Sequence, residues 1–143
     1  MKLPLLSTLT LVAGLAWAQP EIGLQLYSLR DLFPKDVSGT LAKVKAMGIT
    51  EVELAGTYGL PAPEFKKKVE QAGLKIISTG AEFNDLDKNP QEVARQAKEL
   101  GAVYVVCFWI PHSGNEFGIA EINKAVEVFN RAGQVLKSQG LQL

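Results

Sequence analysis

Four short apolar runs alternate with four longer segments in which apolar residues recur every three or four positions. The runs cover residues 22–27, 50–54, 74–79 and 103–109, and a fifth starts at Leu141. A glycine precedes or opens most of them, in Met47-Gly48-Ile49, Ala72-Gly73-Leu74, Leu100-Gly101-Ala102 and Gln139-Gly140-Leu141. Glycine just past a helix takes the left-handed conformation that closes the last turn. Each of these glycines therefore predicts a helix end followed by a strand.

The helix starts agree. Asp36 or Ser38 caps the first helix, which runs to about Met47. Pro63 suits the first turn of the second, which ends near Ala72. Asn89 and Pro90 form a cap and first-turn proline for the third, which ends near Leu100. The fourth spans about 119 to 139, with Ile119, Ile122, Val126, Phe129, Ala132, Val135 and Leu136 as one apolar stripe. No Asn-Gly or Asp-Gly hairpin signal lies between the strands, so parallel pairing through helices is predicted. The run at 103–109 is apolar on both sides, as in a strand covered on both faces.

Composition narrows the functional classes. Hydrophobic residues make up 47% and charged residues 21%, an ordinary globular balance that excludes disorder and coiled coil. Fifteen basic and fifteen acidic residues, with no basic run longer than Lys66-Lys67-Lys68, give no electrostatic case for nucleic acid. That lysine run reads as a solvated helix face. One cysteine and one histidine exclude an internal disulfide and any site needing two imidazoles. Cys107, inside an apolar run, is expected to be buried and inert.

Residues 1–18 carry the three parts of a secretory signal peptide. Lys2 gives a positive start, an uncharged apolar stretch follows, and Ala16-Trp17-Ala18 is a small-x-small cleavage site. Cleavage after Ala18 predicts an exported, periplasmic or secreted chain of residues 19–143 with no stable membrane insertion.

Repeated βα units build either an open doubly wound sheet or an eight-stranded barrel. Four units and a strand start match about half of a barrel. The run Ile22-Gly-Leu-Gln-Leu-Tyr-Ser-Leu-Arg-Asp31 resembles the first strand and loop of the sugar phosphate isomerase/epimerase family, whose fold is the xylose isomerase-like TIM barrel. Further similarity lies in Ala46-Met-Gly-Ile-Thr-Glu-Val-Glu-Leu-Ala-Gly56, in Ala72-Gly-Leu-Lys-Ile-Ile-Ser78 and in the long helix closing on Gly140-Leu-Gln-Leu143. The fold class expected is thus α/β, a partial (β/α)8 TIM barrel of about four βα units plus the start of a fifth strand, matching the amino-terminal half.

The resemblance implies metal-assisted isomerisation or epimerisation of a sugar or polyol in a full-length parent. A divalent metal (Mn, Mg, Co or Zn) would polarise a carbonyl while paired glutamates move a proton. The family's ligands lie in the second half, so no metal ligand and no catalytic residue is assigned here. Relatives often carry Ser-x-His after the third strand, where this chain has Ser78-Thr79-Gly80. The alternative function is a non-catalytic carbohydrate-binding or self-associating half-barrel module.

Barrel sites lie at the carboxyl ends of the strands. That rule selects Gln25, Tyr27, Ser28, Arg30, Glu53, Tyr58, Ser78, Thr79, Glu82, Trp109, His112, Ser113 and Asn115. Among them Gln25, Tyr27, Glu53, Trp109 and His112 are the substrate-binding candidates. Glu53 could bond a sugar hydroxyl or be a structural carboxylate bonded to backbone or a basic side chain. Tyr27 and Trp109 could stack on a sugar ring or pack at the barrel mouth. His112 could carry a proton or sit as an exposed loop residue. Glu82-Phe-Asn-Asp85 reads as a loop. Four strands cut from a barrel would expose about ten inward side chains. At roughly 1.5–3 kcal/mol per buried apolar side chain, the exposed set forgoes on the order of 15 kcal/mol or more, which predicts that the free chain self-associates through the open barrel face or fails to fold stably.

Overall fold

The computed structural model describes residues 22–143. The signal-peptide expectation falls on residues 1–18, outside the described residues. Four strands, β1 (Gly23–Gln25), β2 (Glu51–Leu54), β3 (Lys75–Gly80) and β4 (Tyr104–Val106), form one parallel sheet in the order β1-β2-β3-β4. The helices α1 (Val37–Ala46), α2 (Ala62–Gln71), α3 (Phe83–Lys88), α4 (Pro90–Leu100) and α5 (Ile119–Ser138) supply the connections. Sequential parallel strands joined by helices are the arrangement of a barrel, and the open-sheet alternative is not adopted.

The predicted punctuation is where the sequence placed it. Gly48, Gly73, Gly101 and Gly140 have φ of +82°, +73°, +81° and +80°. Only glycine takes such angles without a Cβ penalty, which is why these four positions end helices. Asp36 caps α1 by accepting a hydrogen bond from the Gly39 N–H at 2.8 Å. Asp36→Ala removes that acceptor, and a loss of about 1 kcal/mol in unfolding free energy is expected. Urea titration followed by helical circular dichroism would measure it, and an unchanged midpoint would remove the cap from the argument.

Several expectations need correction. The first run forms a strand only over three residues, because Leu26–Leu29 turn into a 3-10 helix that buries Leu26. The run at 103–109 is not a strand covered on both faces. Only Tyr104–Val106 pair with β3, and Val103, Tyr104, Phe108 and Trp109 are exposed. The fifth strand is a single bridge, Tyr104 to Gln142, supported by Val105 N–H to the Gln142 carbonyl at 2.7 Å. Asn89 precedes α4 but donates no side-chain cap. Glu82–Asp85, read as a loop, are instead the cap and first turn of α3, because Phe83 and Leu86 one turn apart both reach the core. On α5 the buried positions are Ala125, Val128, Ala132 and Leu136, while Ile119, Ile122 and Val126 stay exposed. The stripe thus turns partly away from the sheet.

Register defines two faces of the sheet. Leu24, Val52 and Ile76 pair in one row, and Leu54, Thr79 and Val105 in another. Most of these side chains are buried beneath the helices. Over them sits an aromatic group: Phe33 stacks on Tyr58 at 4.3 Å, and Phe65 is tilted against both. The opposite face carries Gly23, Glu51 and Lys75 in one row and Gln25, Glu53, Ser78 and Tyr104 in the next. This inner face is largely polar. The expected penalty for leaving it uncovered assumed apolar side chains and does not apply to it.

One irregularity decides which residues reach that face. Val52 pairs with Ile76 but Glu53 pairs with Ser78, so Ile77 is an extra residue in β3. Regular pairing would set Ser78 beside Leu54 on the helix-covered side. The bulge turns it inward beside Glu53.

Candidate functional site

Glu53 is the centre of the inner row. Its Oε1 accepts from Gln25 Nε2 at 2.6 Å, and its Oε2 accepts from Ser78 Oγ at 2.8 Å. Both partners are neutral, so the expectation of backbone or a basic side chain as partner is corrected. A carboxylate offers about four lone-pair directions, and these two bonds leave acceptor capacity on a half-buried side chain. Ser78 belongs to this unit although it was not among the five substrate-binding candidates.

A cavity of about 680 Å³ opens at the carboxyl ends of the strands. That volume lies within the range of small-molecule sites. Gln25, Tyr27 and Trp109 border it, together with Thr57, Thr79, Gly80, Glu82, Asp85, Gln96 and Phe108. Glu53 stands behind Gln25 through their hydrogen bond, and His112 stands behind Trp109. The ring centroids of Trp109 and His112 are 4.3 Å apart, and Phe117 meets the imidazole edge-on at 5.6 Å. The five candidates therefore divide into three that line the cavity and two that support a lining residue.

Tyr27 and Trp109 are 56% and 60% exposed, so neither is consumed by mouth packing. Arg30 lies 4.5 Å over the Tyr27 ring and donates to the Tyr27 carbonyl at 3.1 Å. In His112 the Nδ1 faces the Ile110 carbonyl at 2.6 Å. A carbonyl only accepts, so Nδ1 carries a proton and, in the neutral ring, Nε2 keeps the lone pair. Cys107 is half-buried rather than enclosed. Burial pushes its thiol up, a backbone hydrogen bond with Trp109 opposes the rise, and the charge of Glu82 adds to it.

Gly80 shapes the cavity floor. A Cβ there would meet Phe108 Cε2 at 2.7 Å. The absence of a side chain lets the Phe108 ring settle over the end of β3. The loop after β2 is held by strain and stacking together. Tyr58 has φ of +51°, unusual for a non-glycine residue, and its ring is fixed against Phe33. Its hydroxyl donates to the Leu26 carbonyl at 3.4 Å. On the opposite rim, α3 is tied to α5 because Asp87 pairs with Arg131 and, at 3.3 Å, with Lys124. The Arg131 hydrogen bond holds the Asp87 carboxyl below its usual range. Ser28, in the 3-10 helix, and Ser113 and Asn115, ahead of α5, are exposed and do not line the cavity.

Among the described residues, no group of three or more His, Cys, Asp or Glu side chains is placed to hold a metal ion. The described residues thus do not fit a divalent metal centre. No helix among them is long and apolar enough to cross a membrane.

No protein-family model matches the chain. No curated protein matches it either. Solved structures do. A sugar phosphate isomerase/epimerase from Parabacteroides distasonis ATCC 8503 is 26% identical, with a TM-score of 0.72 over 88% of this chain and 50% of that one. A family 2 AP endonuclease from Brucella melitensis is 12% identical, with a TM-score of 0.67 over 86% and 53%. A xylose isomerase-like TIM barrel protein from Mycobacterium smegmatis, solved in complex with magnesium, is 16% identical, with a TM-score of 0.63 over 86% and 53%. At the two lower identities the likeness is one of fold. The chain spans about half the length of these structures.

Proposed function

We propose that this chain, built as about half of a xylose isomerase-like TIM barrel and similar to a sugar phosphate isomerase/epimerase, forms a sugar-binding wall of an exported isomerase/epimerase-like protein. The observation that carries this reading is the hydrogen-bonded set Gln25, Glu53 and Ser78 beside a cavity bordered by the open rings of Tyr27 and Trp109. Sugars present hydroxyls in one plane and C–H groups on a face. The Gln25 amide, oriented by the Glu53 carboxylate behind it, suits the first, and aromatic rings suit the second. His112, held by Ile110 against Trp109, fixes the orientation of that ring.

Metal-assisted proton transfer beside a sugar carbonyl belongs to the proposed activity of a longer parent. The described residues form no place for the ion, so none of them is assigned a step through it. Their part is to bind and orient the sugar. Titration calorimetry of the purified chain with free aldo- and ketopentoses and hexoses tests this. Binding by at least one of them, with loss of Trp109 fluorescence changes in Trp109→Leu, is the expected result. Absence of heat and of any fluorescence change across the set would refute it.

Self-association is part of the same reading. What supports it is the outer side of α5 rather than the polar inner face: Ile119, Ile122 and Val126 are exposed there. Sedimentation equilibrium is expected to give a mass that rises with concentration in the micromolar range. Val126→Asp with Ile122→Asp should return it toward the monomer, and a constant monomer mass in the parent would exclude it. Export after cleavage at Ala18 is likewise proposed, and amino-terminal sequencing of the exported chain would begin at Gln19.

A further inference from the structure

The charged residues that line the main cavity are Glu82 and Asp85, and no lysine, arginine or histidine lines it. Both carboxylates are exposed at the rim, one just before α3 and the other in its first turn. Lys88, in the last turn of α3, does not line the cavity. Arg30 covers the Tyr27 ring and bonds its carbonyl, while Lys124 and Arg131 are paired with Asp87. The charge of Glu82 reaches into the neighbourhood, since it contributes to the rise of the Cys107 thiol. The remaining lining, including Gln25, Thr57, Thr79 and Gln96, is neutral.

A phosphate monoester carries about −1.5 to −2 charges at neutral pH. In a cleft lined by one sign of charge, a ligand of the same sign is depleted and one without charge is not. We infer that this cavity selects the uncharged sugar over its phosphate ester, with Glu82 and Asp85 as the discriminating residues. The inference rests on the sugar reading above and adds to it the charge class of the ligand. It also separates the two side chains by role. Gln25 and the aromatic rings hold the sugar, whereas Glu82 and Asp85 set which form enters.

The test is competitive. Calorimetric titration at low salt compares glucose with glucose 6-phosphate and fructose with fructose 6-phosphate, on the parent chain and on Glu82→Gln/Asp85→Asn. Both substituted positions are exposed, and thermal unfolding checks that the variant keeps its fold. The expected result is an ester at least tenfold weaker than its free sugar in the parent. That gap should narrow to about threefold or less in the variant, and should also narrow in the parent at high salt, since added ions screen exposed charges. An ester bound as tightly as the free sugar overturns the inference and leaves the sugar reading standing. A tenfold gap untouched by the double substitution overturns the role of the two carboxylates. If neither form binds while the protein is folded, the sugar reading itself falls and takes this inference with it.

Discussion

Phe65→Ala is expected to lower the unfolding free energy by about 3–5 kcal/mol, the largest effect of any single truncation in the fold. Phe65 is wholly buried on α2 and packs against Phe33 at 6.3 Å and Tyr58 at 5.9 Å. Removing its ring forfeits the transfer of a large apolar group and leaves a cavity that the two remaining aromatic side chains, Phe33 and Tyr58, cannot close without moving. Domains of this size have total stabilities of about 5–15 kcal/mol. This one change therefore removes a large part of the margin. Urea unfolding followed by circular dichroism measures the loss. Ile119→Ala supplies the contrast: that residue is 72% exposed, and a change within about 0.5 kcal/mol is expected. Equal effects at the two positions would mean that the aromatic group is not the centre of the core.

The second large effect concerns binding. Glu53→Gln keeps the size of the side chain and one carbonyl oxygen for Gln25, and its new amide can donate to Ser78 Oγ. The charge is lost, and a hydrogen bond to a charged group is worth about 1.5–3 kcal/mol. Sugar affinity is therefore expected to fall by about ten- to a hundredfold with little change in melting temperature. Gln25→Ala should cost a similar factor, because Gln25 borders the cavity and is oriented by Glu53 at 2.6 Å. The double variant should be no weaker than the poorer single one, since groups in one hydrogen-bonded unit are not additive. Calorimetry on the four proteins checks the cycle. Fully additive losses would show that the two side chains meet the ligand independently.

Much of the fold was legible because its punctuation is chemical. The four helix-ending glycines all stand at positive φ, and a residue with a Cβ would pay for that conformation. The parallel α/β class followed from those positions and from the absence of hairpin signals, while the choice of a barrel over an open sheet rested on the resemblance to a known family. What could not be read was where an apolar run leaves the sheet. Residues 103–109 look uniform in sequence, yet Phe108 and Trp109 are carried past β4 to border the cavity. Periodicity does not separate a covered strand from a strand that ends early. The short α3 was hidden for a different reason: six residues with two buried side chains give too little pattern to tell from a loop. On α5, one helix carries apolar residues on two sides, and spacing alone does not say which side meets the sheet.

The site divides in the same way. Gln25, Tyr27 and Trp109 were selected by their place at strand ends, and the structure puts all three on one cavity. Glu53 and His112 are found one layer back, each touching a residue that lines it. Ser78 was seen as a strand-end residue, but its bond to Glu53 depends on a register slip that no local signal announces.

That slip has an evolutionary consequence. Because Ile77 is supernumerary, excising its codon would restore plain alternation along β3 and still leave Ser78 opposite Glu53. Ile76 and Ile77 are the same residue, so loss of either codon yields one and the same chain, with isoleucine opposite Val52 and the serine opposite Glu53. Length variation among descendants of this gene should therefore be tolerated at this isoleucine pair.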